Sequence, residues 1–505
     1  MAKNVFIAST DRAADKSALV RAFLDYCSSK GSRTGFFQTI TTDPGQPKFQ
    51  ELAARLGLEP RDLYGLTAAE AVSLLNSNKK AALIEEVLAR YSAAAAKFDF
   101  LVIEGGDQDP LFAFELQGLG GTLAANLASP VLLLSGGGPA LAASGARVFL
   151  DRQAEVLGVL LVDQGTEAEA AKIEVLKNLA VQAVKSDALA QVPAGWAEKI
   201  LGHQPKVVTP KRFEYDLIAR AKSNKKKIVL PEGDDDRILQ AADEILRREF
   251  ADLVILGDTE AVRKRASELG LAHIGKAELV NIKTAPFRQE LIDQFYELRK
   301  AKGVTPEKAD QQLLDRNWFG TMMIKAKKAD GLVSGAAGTT ADTIRPALSI
   351  IKTKPGCSIA SSVFLMCMQD KVLVFGDCAV NPNPNPQQLA EIAVISAQTA
   401  LAFGVEPKVA MLSYSTGTSG AGPDVDAVKE ATGLAQESAA KLYPGLNLDG
   451  PMQFDAALDP KTAKGKMPQS KVAGQATVLV FPSLNAGNIG YKAVQRTSGA
   501  VAVGP

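Results

Sequence analysis

The chain has 505 residues, 46% hydrophobic and 22% charged, with a formal net charge of +1. That length predicts two or three domains. The near-neutral charge without a basic tail argues against a general nucleic-acid binder, and no apolar run is long and pure enough to span a membrane. The start, MAKNVFIAST, passes directly into a short apolar strand and lacks the features of a signal peptide, so the sequence reads as cytoplasmic. Four cysteines (Cys27, Cys357, Cys367, Cys378) without metal spacing read as reduced core residues, and with only His203 and His273 neither a zinc site nor a Ser-His-Asp triad has enough material.

In chain order, apolar strands are predicted at Val5–Ala8, Thr34–Thr39, Asp99–Glu104, Val131–Leu134 and Val156–Val162. Helical patterns such as Asp15–Ser29 and Lys79–Lys97 separate them. This alternation predicts a parallel, doubly wound α/β sheet over 1–165. Thr166–Ala190 is rich in Ala, Glu and Lys with one helical pattern, and the following Pro/Gly-containing stretch shows no core strand, so 166–210 is expected to be a connector. A second α/β unit, 211–505, opens at "KKKIVLPEGDDDR". Its further strands are predicted at Leu253–Leu256, Glu278–Ile282, Gly331–Ser334, Val372–Phe375, Val409–Ser413 and Thr477–Phe481.

After the first strand, Lys16-Ser17 stands where a phosphate-binding loop ends, but Thr10 and Asp15 occupy the places of its glycines. Without those glycines the backbone N–H groups cannot wrap a phosphate, and Asp15 adds a like charge. Glu104, at the tip of "FDFLVIEGGDQ", matches the strand-ending acidic residue of such folds. The expectation is a domain that has lost nucleotide binding. It resembles the dethiobiotin-synthetase-like, P-loop-NTPase-like N-terminal domain of long phosphate acetyltransferases.

In "DGLVSGAAGTTADTIRPALSIIKT" a strand ends near Ser334, a Gly/Ala/Thr loop follows, and Pro346 is expected to start a helix. Arg345 then lies at or just outside the helix N-terminus, where a cation is favourable only beside an anion. Free N–H groups, the Thr339 and Thr340 hydroxyls and Arg345 are expected to cradle a phosphate. Arg299 lies on the helix of "FYELRKAKGVT". Two more loops, "GDCAVNPNPNP" and "LSYSTGTSGAGPD", follow strands, and all three are expected on one sheet, where strand ends form a ligand crevice.

These strings, with "KKIVLPEGD", "SSVFLMCM" and "SKVAGQATVLVFPSLNAGN", closely resemble the phosphate acetyltransferase family from about Phe213 to Pro505. The resemblance implies an isocitrate-dehydrogenase-like pair of α/β subdomains with a cleft. It implies reversible acetyl transfer between coenzyme A and inorganic phosphate, with acetyl-CoA/CoA and phosphate/acetyl phosphate as ligands. No cofactor or metal and no nucleic-acid or membrane partner is implied; a homo-oligomer is. By motif, Arg299, Arg345 and Arg496 match arginines that bind phosphate and coenzyme A, and Ser334, Thr339 and Thr340 join them as binding residues. The chain departs from the family at Gly338, where histidine is usual, which is expected to leave the loop more flexible. It also has no middle regulatory domain. The family's Ser and Arg of the "NDLSRG" segment and an Asp that follows it lie beyond Pro505, so no catalytic residue is assigned and poor turnover is expected, with Asp377 the next candidate base. Alternatives are a non-catalytic ligand-sensing or assembly protein on this fold, or a butyryl-type acyltransferase, distinguishable by pocket volume near Ser361 and Ser362.

Overall fold

The computed structural model describes residues 3–11, 16–106, 113–203, 207–369 and 371–505. Two compact units emerge, one of Met1–Tyr215 with Cys367–Val372, the other of Asp216–Met366 and Leu373–Pro505. Among the described residues, no helix is long and apolar enough to cross a membrane.

The first unit holds seven strands: β1 (Lys3–Ser9), β2 (Thr34–Thr41), β3 (Tyr64–Thr67), β4 (Phe100–Glu104), β5 (Val131–Ser135), β6 (Val156–Val162) and β7 (Ala180–Val184). They form one sheet in the order β3-β2-β4-β1-β5-β6-β7, every pair parallel. Successive residues of β1 point to opposite faces. Val5 and Ile7 enter one apolar cluster and Phe6 and Ala8 the other. Continuous apolar strands buried on both faces are what a helix-covered parallel sheet requires.

The structure draws the boundary of this unit later than composition suggested. The 166–210 stretch contains two short helices, Glu167–Ala170 and Trp196–Gly202, a 3-10 turn at Ser186–Ala190, and β7, which pairs with β6. Leu189, Trp196 and Ile200 are buried in the same core as Val5 and Ile7. Trp196 donates from Nε1 to Gln182 at 2.7 Å, and it packs so closely on β6 that a Cβ on Gly158 would lie 2.0 Å from its ring. β7 is a half-buried edge strand, so "AVQAV" carries little apolar signal against its Ala/Lys/Glu surroundings.

The second unit contains two sheets. β8 (Lys227–Leu230), β9 (Asp252–Leu256), β10 (Glu278–Val280) and β11 (Gly331–Leu332) form a parallel sheet ordered β10-β9-β8-β11. β12 (Val363–Cys367), β13 (Val372–Gly376), β14 (Lys408–Leu412), β15 (Asn447–Met452), β16 (Val478–Val480) and β17 (Val501–Val503) form the other, ordered β15-β14-β16-β13-β12-β17. The three candidate ligand loops therefore do not share a sheet. The 333–339 loop follows β11 of the smaller sheet, and the other two follow β13 and β14 of the larger. One helix, Thr340–Ile350, leads from β11 toward β12, from the smaller sheet to the larger.

Candidate functional site

The helix Thr340–Ile350 begins earlier than its proline suggested. Thr339 is the N-cap, and Pro346 lies inside the helix. A proline cannot donate to the carbonyl four residues back, here Asp342. That carbonyl is not left unpaired: Asn317 Nδ2 donates to it at 3.3 Å, and Asn317 Oδ1 accepts from Ser334 Oγ at 2.8 Å. Asn317, itself buried, replaces the missing N–H. Arg345 consequently projects from the second turn of the helix rather than from its N-terminus, and the dipole argument for an anion beside it falls away.

The backbone donors expected to cradle a phosphate are also occupied. Gly335, with φ +118, lets the loop turn so that consecutive N–H groups converge. The N–H groups of Gly335 and Ala336 donate to one oxygen of Glu232 at 3.0 Å each, and those of Ala337 and Gly338 to the other at 2.8 and 3.3 Å. Glu232 is 2% exposed. Burial disfavours its charge, but the four N–H donors outweigh that and hold its carboxyl below the ordinary value. At the helix start Thr339 and Asp342 form a reciprocal capping box, Thr339 N–H giving 2.9 Å to Asp342 Oδ2. The Thr339 N–H and hydroxyl hold the Asp342 carboxyl low, with a smaller push from the Arg345 charge. Thr339 and Ser334 thus have structural duties, while Thr340 is exposed.

Gly338 does not require glycine: its φ is not positive, and a Cβ there would meet Asp342 only at ordinary contact distance, 3.6 Å. Its N–H is held by Glu232, which restrains the freedom expected of a glycine at this point.

Among the described residues, Arg345 and Arg496 are exposed and enter no ion pair or hydrogen bond. Arg299, the last residue of the helix Arg288–Arg299, gives one long bond, 3.4 Å, to the Ser349 carbonyl. Ser349 is four residues beyond Arg345, so both lie on one side of the same helix. Arg299 therefore touches the helix about one turn beyond Arg345. Arg496, late in the helix Leu484–Ser498, has no contact linking it to either.

Asp377 is unavailable as a base. It is 3% exposed and accepts from the Ser362 hydroxyl, from the N–H groups of Ala379 (3.0 Å), Val380 (3.1 Å) and Asn381 (2.8 Å), and from Asn381 Nδ2 (2.5 Å). It organises the loop after β13. Ser362 is committed to it, and the neighbouring Ser361 hydroxyl is buried with no hydrogen-bond partner among the described residues. The loop after β14 is closed by its own hydroxyls, Gly420 N–H to Ser415 Oγ at 2.7 Å and Thr416 N–H to Ser419 Oγ at 2.9 Å. It borders a cavity of about 560 Å³ lined by Thr416, Ser419, Asp449, Lys466 and Ser470, of which Ser470 opens the "SKVAGQATVLVFPSLNAGN" string. Among the described residues, no group of three or more His, Cys, Asp or Glu is arranged to hold a metal ion.

In the first unit, Lys16 donates to the carbonyls of Gly105 and Gly106, both at 3.1 Å, and Glu104 pairs with Lys48 at 3.2 Å. Thr10 bonds the Asp11 carboxylate and Ser135 at 2.7 and 2.9 Å. Asp15 lies outside the described residues. A cavity of about 190 Å³ reaches from Ser17 to Lys48 and Glu104.

A family model described as phosphate acetyl/butaryl transferase matches residues 212–505. A phosphate acetyltransferase of Helicobacter pylori is 42% identical over 440 residues, covering 86% of this chain and 81% of that protein. One of Nitratidesulfovibrio vulgaris is 55% identical over 307 residues, 61% of this chain; the match spans only 43% of that relative's length. Among solved structures, a phosphotransacetylase from Streptococcus pyogenes matches with a TM-score of 0.55 and 46% identity, covering 59% of this chain and 89% of that one. The EutD phosphotransacetylase from Staphylococcus aureus matches with a TM-score of 0.53 and 49% identity, covering 58% and 89%.

Proposed function

Because this chain belongs to the phosphate acetyl/butaryl transferase family, we propose that it transfers an acetyl group reversibly between coenzyme A and inorganic phosphate. The coenzyme A thiol sulfur attacks the carbonyl carbon of acetyl phosphate, the tetrahedral intermediate collapses, the phosphoryl oxygen leaves with its electron pair, and the thiol proton ends on the released phosphate. The reverse reaction runs from acetyl-CoA and phosphate. The observation that supports this reading best is Arg345, an exposed guanidinium that forms no salt bridge or hydrogen bond among the described residues, on a helix that Arg299 also reaches. A guanidinium fork matches phosphate bidentately and serves in both directions, because phosphate is substrate one way and leaving group the other. Arg496 is a further coenzyme A or phosphate contact in this reading. The carboxylates of Asp377, Glu232 and Asp342 are all committed to backbone N–H groups, so none of them is assigned as the acceptor of the thiol proton.

The finer architecture belongs to the same proposal. The smaller and larger sheets of the second unit act as two isocitrate-dehydrogenase-like subdomains, with substrate at the helix leading from one to the other. The first unit is a P-loop-like domain whose lysines are spent internally. A cytoplasmic homo-oligomer fits the chemistry.

The test is phosphate-dependent release of the coenzyme A thiol from acetyl-CoA by the full native protein, with acetyl phosphate trapped as its hydroxamate. The expected result is equal amounts of thiol and acyl phosphate. Binding of both ligands without acyl phosphate would favour a ligand-sensing role instead, and preference for butyryl-CoA in direct competition would reassign the acyl group.

A further inference from the structure

A run of converging backbone N–H groups after a strand is an anion site. In this protein the run over Gly335–Gly338 is filled from within. Glu232 stands just past the end of β8, the strand beside β11, and reaches under the loop that follows β11. Each carboxylate oxygen takes two N–H groups. No neutral side chain of the same size reproduces that, since an amide offers a single acceptor oxygen and turns two donors toward donors. The rest of the loop is tied at the same points. Arg237 donates to the Ala336 carbonyl at 2.6 Å while its other contacts bind Asp235, Ser334 is held by Asn317, and Thr339 by Asp342. Ala337, Gly338 and Thr339 nonetheless face outward and are exposed. The loop therefore has a fixed inner backbone and an open outer surface, and it leads within two turns of helix to Arg345.

We propose that Glu232 is a positioning residue: its carboxylate plugs the backbone anion site of the 335–338 loop, fixes where the 340–350 helix begins, and so leaves the incoming phosphate to Arg345. A negative charge already seated in the N–H row repels a second anion from it. The direction of the Arg345 side chain follows the start and phase of its helix. Small misplacements of a substrate-holding group cost rate steeply. The inference rests on the reading that Arg345 binds substrate phosphate.

The experiment uses the full chain with E232Q and, as a milder variant, R237A, whose side chain is largely exposed and which removes the tie to Ala336 together with the ion pair to Asp235. Two quantities are read: hydrogen exchange of the amides 335–338, and KM for phosphate and for acetyl-CoA alongside kcat. E232Q is expected to speed exchange of those amides and to raise KM for phosphate, each by about tenfold or more, with KM for acetyl-CoA within about twofold. R237A is expected to raise phosphate KM by about two- to threefold in the same pattern. Wild-type exchange and wild-type phosphate KM in E232Q would overturn the proposal. So would equal losses for both substrates accompanied by a lowered Tm, which mark a purely structural role. If E232Q does not fold, R237A with unchanged phosphate KM overturns it. Absence of phosphate-dependent turnover in the wild-type protein would instead sink the acetyl-transfer reading, while the exchange measurement would still decide whether Glu232 holds the loop.

Discussion

Two places in this molecule look alike in sequence and differ in what is left over after folding. In each unit a strand ends, a short loop turns, and a helix begins beside basic residues. In the first unit the cations are consumed: Lys16 by two carbonyls beyond β4, and Lys48 by the buried Glu104. In the second, the protein's own carboxylate consumes the backbone donors, and the cation Arg345 forms no salt bridge or hydrogen bond among the described residues. An anion site exists where positive charge is unspent. Resemblance to a phosphate loop says little about that, because the decisive partners, Glu104, Lys48 and Glu232, come from elsewhere in the chain.

The largest effect that would sharpen this contrast is in the first unit. Lys48→Met leaves the nearly buried Glu104 carboxylate unpaired, and a loss of about 3–5 kcal/mol in unfolding free energy is expected by denaturant titration. The double change Lys48→Met/Glu104→Leu should recover most of it, because the buried charge is gone as well. A loss in the single variant that the double change does not recover would mean that the pair is not what Lys48 contributes.

Arg345→Ala comes next. A charge-assisted hydrogen bond is worth roughly 1.5–3 kcal/mol, so phosphate affinity should fall about ten- to a hundredfold, more than affinity for coenzyme A. Lysine should rescue in part, since a point charge cannot reproduce the fork. The comparison breaks if Lys16→Ala costs phosphate affinity as much as Arg345→Ala does. It breaks equally if Mg-ATP titrated into the full chain binds with micromolar affinity.

Asn317→Ala should cost about 1–3 kcal/mol of stability, because the Asp342 carbonyl freed by Pro346 and the Ser334 hydroxyl both lose their partner. Changing Pro346→Ala in that background should restore part of the loss, as a backbone N–H would again face that carbonyl.

The pH dependence of the 335–338 loop is smaller and has a definite sign. The Glu232 carboxyl sits below its ordinary 4.5 in the folded protein. Its contribution is therefore fully present above about pH 4.5 and is lost as pH falls through the lower folded value. Protection of amides 335–338, corrected for intrinsic exchange, should hold down to that range and drop beneath it. E232Q should lack the step. Smallest of all, Gly338→Ala is expected to change stability by less than about 0.5 kcal/mol, since nothing near that position crowds a Cβ.

The α/β class and most strands, within one or two residues, were legible in the sequence alone. Apolar runs of four to seven residues between helical patterns are a local signal, and a family's motifs are local strings. Sequence reading missed β7 because a half-exposed edge strand has weak patterning, and it placed Pro346 at a helix start because the proline's missing donor is normally a terminal feature. Both points turn on partners brought in by the fold. Asn317, from another helix, supplies the donor that lets Pro346 sit inside its helix, and Glu232, from a neighbouring strand end, fills the N–H row. Whether a polar group is free or satisfied depends on which distant side chain arrives beside it, and spacing along one stretch of chain carries no record of that.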